Sequence, residues 1–307
     1  MNHGLDGRVA LVAGATRGAG RAIAVELARA GAFVYATGRS SRFHGPSEMG
    51  RPETIEETKE LLHKAQGRGE AVRVDHLDGA AVTALIQRIG DEQGRLDILV
   101  NDMFGGDRYA EYDKRLWQHD LDGGLRMLRM GVDTHLITLH HALPLMLRGD
   151  RGLIIEMTDG TAKANRDFRH NVGFYYDLVK TNVGRIVQGL AYELAHYPVT
   201  ALGVTPGWLR SEAMLHFFGV SEKNWREACQ NTPSFAISES PTYVARGIRA
   251  LAADPDLSRF RGRILTSREL ADRYGVTDTD GSRPDCWGLI AAHGWDVDNL
   301  EWIEAFR

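Results

Sequence analysis

The chain has 307 residues, enough to bury the core of one large α/β domain or two small ones. Its formal net charge is -4 with both signs interspersed, so there is no basic footprint for nucleic acid or anionic lipid, and no apolar run approaches the about 20 residues that span a membrane. The two cysteines, Cys229 and Cys286, lack metal or redox spacing, and MNHGLDGRVALVAGA lacks the charged-then-apolar pattern of a secretory leader; a cytoplasmic protein with reduced thiols is expected.

In chain order, short β-rich runs read RVALVAG, AFVYAT, EAVRVD, LDILVN, GLIIEM, VTALGVTP and GRILT. Each except the last precedes a stretch suited to a helix, which predicts βαβ units and a parallel sheet buried on both faces. Between the second run and its helix, residues 39–53 form a Gly/Pro/Ser-rich insertion, expected as a surface loop. After the sixth run, residues 208–240 are irregular and mix aromatic with polar residues. The tail from about 268 carries Trp287, Trp295 and Trp302, and is expected to pack on the domain or on a neighbouring subunit.

The first run enters GATRGAG, with Gly14, Thr16, Arg17, Gly18 and Gly20, and then the helical RAIAVELARAG. Between a strand and a helix this pattern points to a phosphate cradle, because backbone approaches a pyrophosphate closely only where side chains are absent, and a helix N-terminus offers free N–H groups. Farther on, Val179, Val183, Ile186, Val187, Leu190 and Leu194 mark the buried stripe of a helix that begins near YYDLVK. On it Tyr176 and Lys180 stand four apart, on one face, whereas Tyr175 and Lys180 do not.

The glycine spacing, joined to Tyr176 and Lys180, resembles the short-chain dehydrogenase/reductase family over about residues 5 to 267. Further marks are Val74-Asp75, LDILVN ending at Asn101, and PGWLRS from Pro206 to Ser211. The resemblance implies a single Rossmann-type domain over 1–307, a doubly wound parallel sheet in three α/β/α layers, with a substrate lid within about 208–240 and a C-terminal extension from about 268. It implies that Tyr176 transfers a proton and that Lys180 lowers the phenol pKa and holds the nicotinamide ribose. Asp75 and Asn101 would lie beside the adenosine, and Pro206, Gly207 and Ser211 would hold the nicotinamide. Tyr175 would line the pocket or pack, Trp208 would touch substrate, and Phe217, Phe218 and Trp225 of the lid would touch substrate or pack. A homodimer or homotetramer acting on a small molecule, with no nucleic-acid or membrane partner and no metal, is expected.

No acid follows the second strand, where a carboxylate would bind the ribose diol of NAD. Arg39 stands there and Arg17 lies in the glycine loop, so NADP(H) is the expected cofactor in preference to NAD(H). The family pattern breaks in three places. Asp159, preceded by Thr158, occupies the place of the serine that binds the substrate carbonyl; the helical asparagine's place falls on Gly131; and the motif after the fourth strand reads NDMFGG. An ionised Asp159 would oppose charge on a substrate oxygen. It could act as a neutral donor, welcome a protonated imine, yield its role to Thr158, or point to solvent or cap the following turn. The rival functions are therefore an imine or iminium reductase and a catalytically idle NADP(H)-binding protein. His135, His140 and His141 lack the spacing of a helical metal pair, and Arg126 and Arg129 read as a solvated helix face.

Overall fold

The computed structural model describes residues 4–295 and 297–307. Seven parallel strands form one sheet in the order β3-β2-β1-β4-β5-β6-β7. They are β1 (Val9–Ala13), β2 (Phe33–Gly38), β3 (Arg68–Arg73), β4 (Ile98–Asn101), β5 (Gly152–Met157), β6 (Val199–Thr205) and β7 (Ile264–Thr266). All seven expected runs are strands. β3 lies two residues earlier than EAVRVD suggests, because its register pairs Arg68 with Phe33, and Val74 has already left the ladder to donate its N–H to Gly38.

The alternation along β1 feeds both faces: Ala10 and Val12 pack into one core, Val9 and Leu11 into the other. On the first face lie α1 (Gly18–Arg29), α2 (Ile55–Lys64), α8 (Pro241–Ala253) and α9 (Ser267–Tyr274). On the second lie α3 (Gly79–Gln93), α5 (Thr134–Met146) and α6 (Phe174–Glu193), with α4 (Leu121–Leu128) against α6. This is the doubly wound α/β/α arrangement. The predicted α6 stripe is buried at Val179, Val183, Val187, Leu190 and Leu194, with Ile186 half-buried beside it.

One expectation is corrected. β7 does run into a helix, α9, started by a capping box in which Thr266 and Glu269 satisfy each other's backbone N–H groups. The Thr-x-x-Glu spacing marks it in the sequence, but the helix buries so little apolar surface that periodicity hides it.

The segment 208–240 contains α7 (Glu212–Phe217) and two 3₁₀ turns, Trp225–Gln230 and Pro233–Ile237. A bridge between Leu209 and Glu239 pins its ends together. The tail forms α10 (Cys286–His293) and α11 (Leu300–Ala305), which pack under this segment against Ala236 and Ile237. Trp287 Nε1 donates to the Pro206 carbonyl at 2.7 Å. The tail thus buttresses the chain as it leaves β6.

Candidate active site

Strand order reverses between β1 and β4, and there the carboxyl ends of the strands open a cleft of about 580 Å³. Residues following six strands line it: Gly14 after β1, Arg39 after β2, Val74 and His76 after β3, Asp102 after β4, Thr158 and Asp159 after β5, and Pro206 and Gly207 after β6. Thr16, Arg17, Gly18, Asp75, Tyr176, Lys180, Ser211 and Phe217 also face it. Most of the sequence-derived site residues therefore share one cavity.

The glycine loop suits a pyrophosphate. A Cβ at Gly14, whose φ is +92, would lie 2.5 Å from the Asp102 carbonyl oxygen. One at Gly20 would lie 2.5 Å from the Gly14 carbonyl oxygen; Gly20 does not face the cleft but lets α1 close on the turn. α1 has no side-chain cap, and its Gly18 N–H donates to Glu212 Oε2 at 2.8 Å. A carboxylate oxygen already sits where a phosphate oxygen would, so the residues fit a dinucleotide.

Where the chain leaves β2, Arg39 Nη1 donates to Glu48 Oε1 at 2.6 Å. Arg126 Nη2 (2.8 Å) and the Tyr109 hydroxyl (2.9 Å) reach the same carboxylate. Glu48 is held down at about 2, chiefly by its bond from Arg126, then by Arg39 and Tyr109, which together outweigh its partial burial. Arg126 is thus no solvated helix residue but part of a latch on the 39–53 insertion. Arg17 and Arg51 share Glu53 (3.5 and 2.6 Å), and Arg51 also lines the cleft.

Asn101, Tyr175, Trp208 and Phe218 lie away from the cleft, and for Tyr175 and Phe218 it is the packing alternative that is observed. Asn101 is fully buried, and its Nδ2 donates to Glu156 Oε1 at 2.7 Å; it braces a buried carboxylate instead of facing the cleft. The other Glu156 oxygen lies 2.5 Å from His135 Nδ1, while His135 Nε2 meets the Met103 carbonyl at 2.9 Å. Burial disfavours the imidazolium, yet Glu156 and the carbonyl raise its pKa overall. Tyr175 packs against Gly124 and His119, outside the cleft, since a residue beside Tyr176 on α6 must point elsewhere. Trp208 and Phe218 pack on Phe235 at centroid distances of 5.2 and 4.4 Å and leave only Phe217 at the cleft.

The catalytic candidates converge on one wall. Lys180 Nζ sits 3.8 Å from the centre of the Phe104 ring and 5.4 Å from that of Tyr176. Burial lowers the Lys180 pKa, against the charges of Asp159, Asp107 and Asp102. The phenol of Tyr176 is raised well above its ordinary range by burial, then by Asp159 and Asp107, rather than lowered as expected. Asp102, the second residue of NDMFGG, is pushed up to about 7 by burial. Thr158 donates its hydroxyl proton to the Lys180 carbonyl at 2.9 Å and so fastens β5 to α6. Asp159 does not cap a helix: its side chain is 37% exposed at the cleft, and its Oδ2 meets Arg169 Nη1 at 3.4 Å. Gly131 lines the cleft in a turn of π-helix, Arg129–Asp133. Among the described residues no cluster of three His, Cys, Asp or Glu side chains is placed for a metal. No helix there is long and apolar enough to cross a membrane.

Sequence reasoning missed Glu48, Asp107, Tyr112 and Arg169. Glu48 and Tyr112 sit in loops and Asp107 opens a single 3₁₀ turn, none with periodicity, and Arg169 is defined only by partners eight and ten residues away.

A phosphate cradle at a topological switch point, with a tyrosine and a lysine one turn apart across the cleft, defines a dinucleotide-dependent oxidoreductase. The chain belongs to the short-chain dehydrogenase family, whose model, described as short chain dehydrogenase, matches residues 8–217. The mouse protein Dehydrogenase/reductase SDR family member 1 is 29% identical over 308 residues, spanning 98% of this chain and 93% of its own length. A dehydrogenase of Xanthomonas campestris shares the fold with a TM-score of 0.71 at 22% identity, covering 92% of this chain and 95% of that one. A short chain dehydrogenase of Shigella flexneri, solved in complex with NADP, has a TM-score of 0.68 at 20% identity over 87% of this chain and 100% of that one. The protein is thus an oxidoreductase of the short-chain dehydrogenase/reductase type.

Proposed function

We propose that the protein is an NADP(H)-dependent oxidoreductase interconverting a carbonyl and an alcohol on a small organic substrate. One observation carries this reading: Tyr176 and Lys180 open onto the same cleft as the glycine loop and as Arg17 and Arg39. The nicotinamide, when bound, supplies or accepts the hydride. The Tyr176 hydroxyl passes the proton to or from the substrate oxygen, and the Lys180 ammonium would oppose the burial, Asp159 and Asp107 that hold the phenol protonated. Gly14, Thr16 and Gly18 would hold the pyrophosphate, Asp75 the adenosine, and Pro206, Gly207 and Ser211 the nicotinamide. Arg17 and Arg39 would meet a 2′-phosphate with planar, permanently charged donors. The Shigella flexneri protein's complex with NADP is consistent with that choice.

Pairing with Arg169 supplies Asp159 with a cation of the protein's own, which removes the reason for a protonated imine as substrate. An idle binder would need the lysine but not a phenol at the cleft. Residues 208–240 would close over the substrate, with Phe217 as a contact. The exposed Leu121 and Leu125 of α4, Leu136 of α5, and Leu178 and Tyr192 of α6 support assembly through these helices into a homodimer or homotetramer. The test is consumption of NADPH, and separately NADH, with panels of carbonyl compounds and cyclic imines. Turnover of carbonyls with NADPH supports the proposal, and turnover of imines alone refutes it.

A further inference from the structure

The loop between β5 and α6 holds a guanidinium that no motif marks. Arg169 has 3% of its side chain exposed. Its backbone N–H and Nε both donate to Asp177 Oδ1, at 3.1 and 3.3 Å, and its Nη1 donates to Asp159 Oδ2 at 3.4 Å. Its Nη2 is buried without a hydrogen-bond partner. Asp159 lines the cleft, and Asp177 follows Tyr176 in the first turn of α6. One side chain therefore ties the end of β5 to the turn of helix that carries the phenol.

We propose that Arg169 is a positioning residue: its guanidinium holds Asp159 and the first turn of α6 in place, and its charge offsets the Asp159 carboxylate beside the Tyr176 hydroxyl. The inference rests on the proposed proton transfer by Tyr176. A guanidinium leaves water at a large cost unless it is paired, and here two carboxylates supply the pairing. The helix start needs the tie, because Gly173 before it offers no capping side chain.

The electrostatic part follows from the groups around the phenol. Asp159 and Arg169 face it from this loop, Asp107 and Tyr112 from the segment after β4, and Lys180 stands one turn along α6 with Asp102 near it. Asp159 left alone would oppose both the phenolate and a negative charge on substrate oxygen. Arg169 acts on Tyr176 in the opposite sense to Asp159. An aspartate in the place of the family's serine is thereby made tolerable.

The test is the pH profile of alcohol oxidation, read with NADPH affinity and thermal melting, in Arg169→Met, Arg169→Lys, Asp159→Asn and the Arg169→Met/Asp159→Asn double variant. Arg169→Met should slow turnover and move the rising limb, where the phenol ionises, up by about one pH unit, a tenfold change in ionisation. Asp159→Asn alone should move the limb down. The double variant should return it close to the parent's, and Arg169→Lys should leave it in place. A limb unmoved in both Arg169→Met and Asp159→Asn, or a double variant no better than Arg169→Met, overturns the proposal. Should Arg169→Met fail to fold, a limb that stays put in Asp159→Asn is enough to overturn it. Full activity of Tyr176→Phe would instead sink the underlying assignment, so the two failures are distinguishable.

Discussion

Arg39 is the residue on which cofactor choice turns, and the structure shows it already engaged. Its guanidinium is bound to Glu48 at 2.6 Å, and both side chains are about a quarter exposed (24% and 22%). A 2′-phosphate must share or replace that partner, while Arg126 and Tyr109 can keep Glu48 satisfied. A charge-assisted bond to the phosphate contributes about 1.5–3 kcal/mol. Giving up a partly exposed ion pair costs about 0–1 kcal/mol. The net is about 1–2 kcal/mol, roughly five- to thirtyfold in affinity. Arg39→Ala should therefore weaken NADPH by that factor and change NADH by less than about twofold. Glu48→Gln, which leaves Arg39 only the longer ion pair with Asp75 at 4.0 Å, should tighten NADPH by about two- to fivefold. Fluorescence titration of both cofactors, repeated at high salt, measures this. Equal affinity of the parent for NADPH and NADH, or equal weakening of both in Arg39→Ala, would refute the reasoning.

Glu212 occupies the N-terminus of α1 through the Gly18 N–H at 2.8 Å, with Arg21 at 3.5 Å. Because an anion there is worth about 0.3–1 kcal/mol, Glu212→Gln should tighten both cofactors by about two- to fivefold, and weaker binding would count against the competition. Glu239 is fully enclosed behind Gly207, and burial raises its carboxyl from 4.5 to about 8. A raised carboxyl favours the folded state in its neutral form, so that stability is present below about pH 4.5 and fades as pH rises towards 8. Glu239→Gln should accordingly melt near the parent at acid pH and above it at pH 8 and beyond, by an amount on the order of 2–4 kcal/mol; the same difference at both pH values would contradict this. Tyr175→Phe should keep most activity, since that ring packs on Gly124 and His119 away from the cleft. A loss as deep as that of Tyr176→Phe would place the wrong tyrosine in the site.

How much of this the sequence discloses follows from where the physics is local. Buried parallel strands must be short apolar runs, and β5 spans the very residues of GLIIEM. α6 advertises its buried stripe and the Tyr176–Lys180 face by spacing alone. Glu48 is hidden in a stretch whose Gly, Pro and Ser content signals only a loop; its partner Arg39 opens that same loop, and Tyr109 and Arg126 lie on two other segments. Asn101 faces inward because Glu156, on the neighbouring strand, needs a donor, and that pairing exists only once β4 and β5 are in register. Arg169 likewise gains its meaning from tertiary contacts with Asp159 and Asp177.

The central claim is that Tyr176 carries the proton in a nicotinamide-dependent carbonyl reduction. The direct measurement compares parent and Tyr176→Phe for NADPH binding by titration and for turnover with a carbonyl substrate found in the panel. Expected is a loss of turnover of about a thousandfold or more, as for removal of an essential proton donor, with NADPH affinity unchanged within about twofold. A Tyr176→Phe protein that turns over at the parent's rate would contradict the assignment.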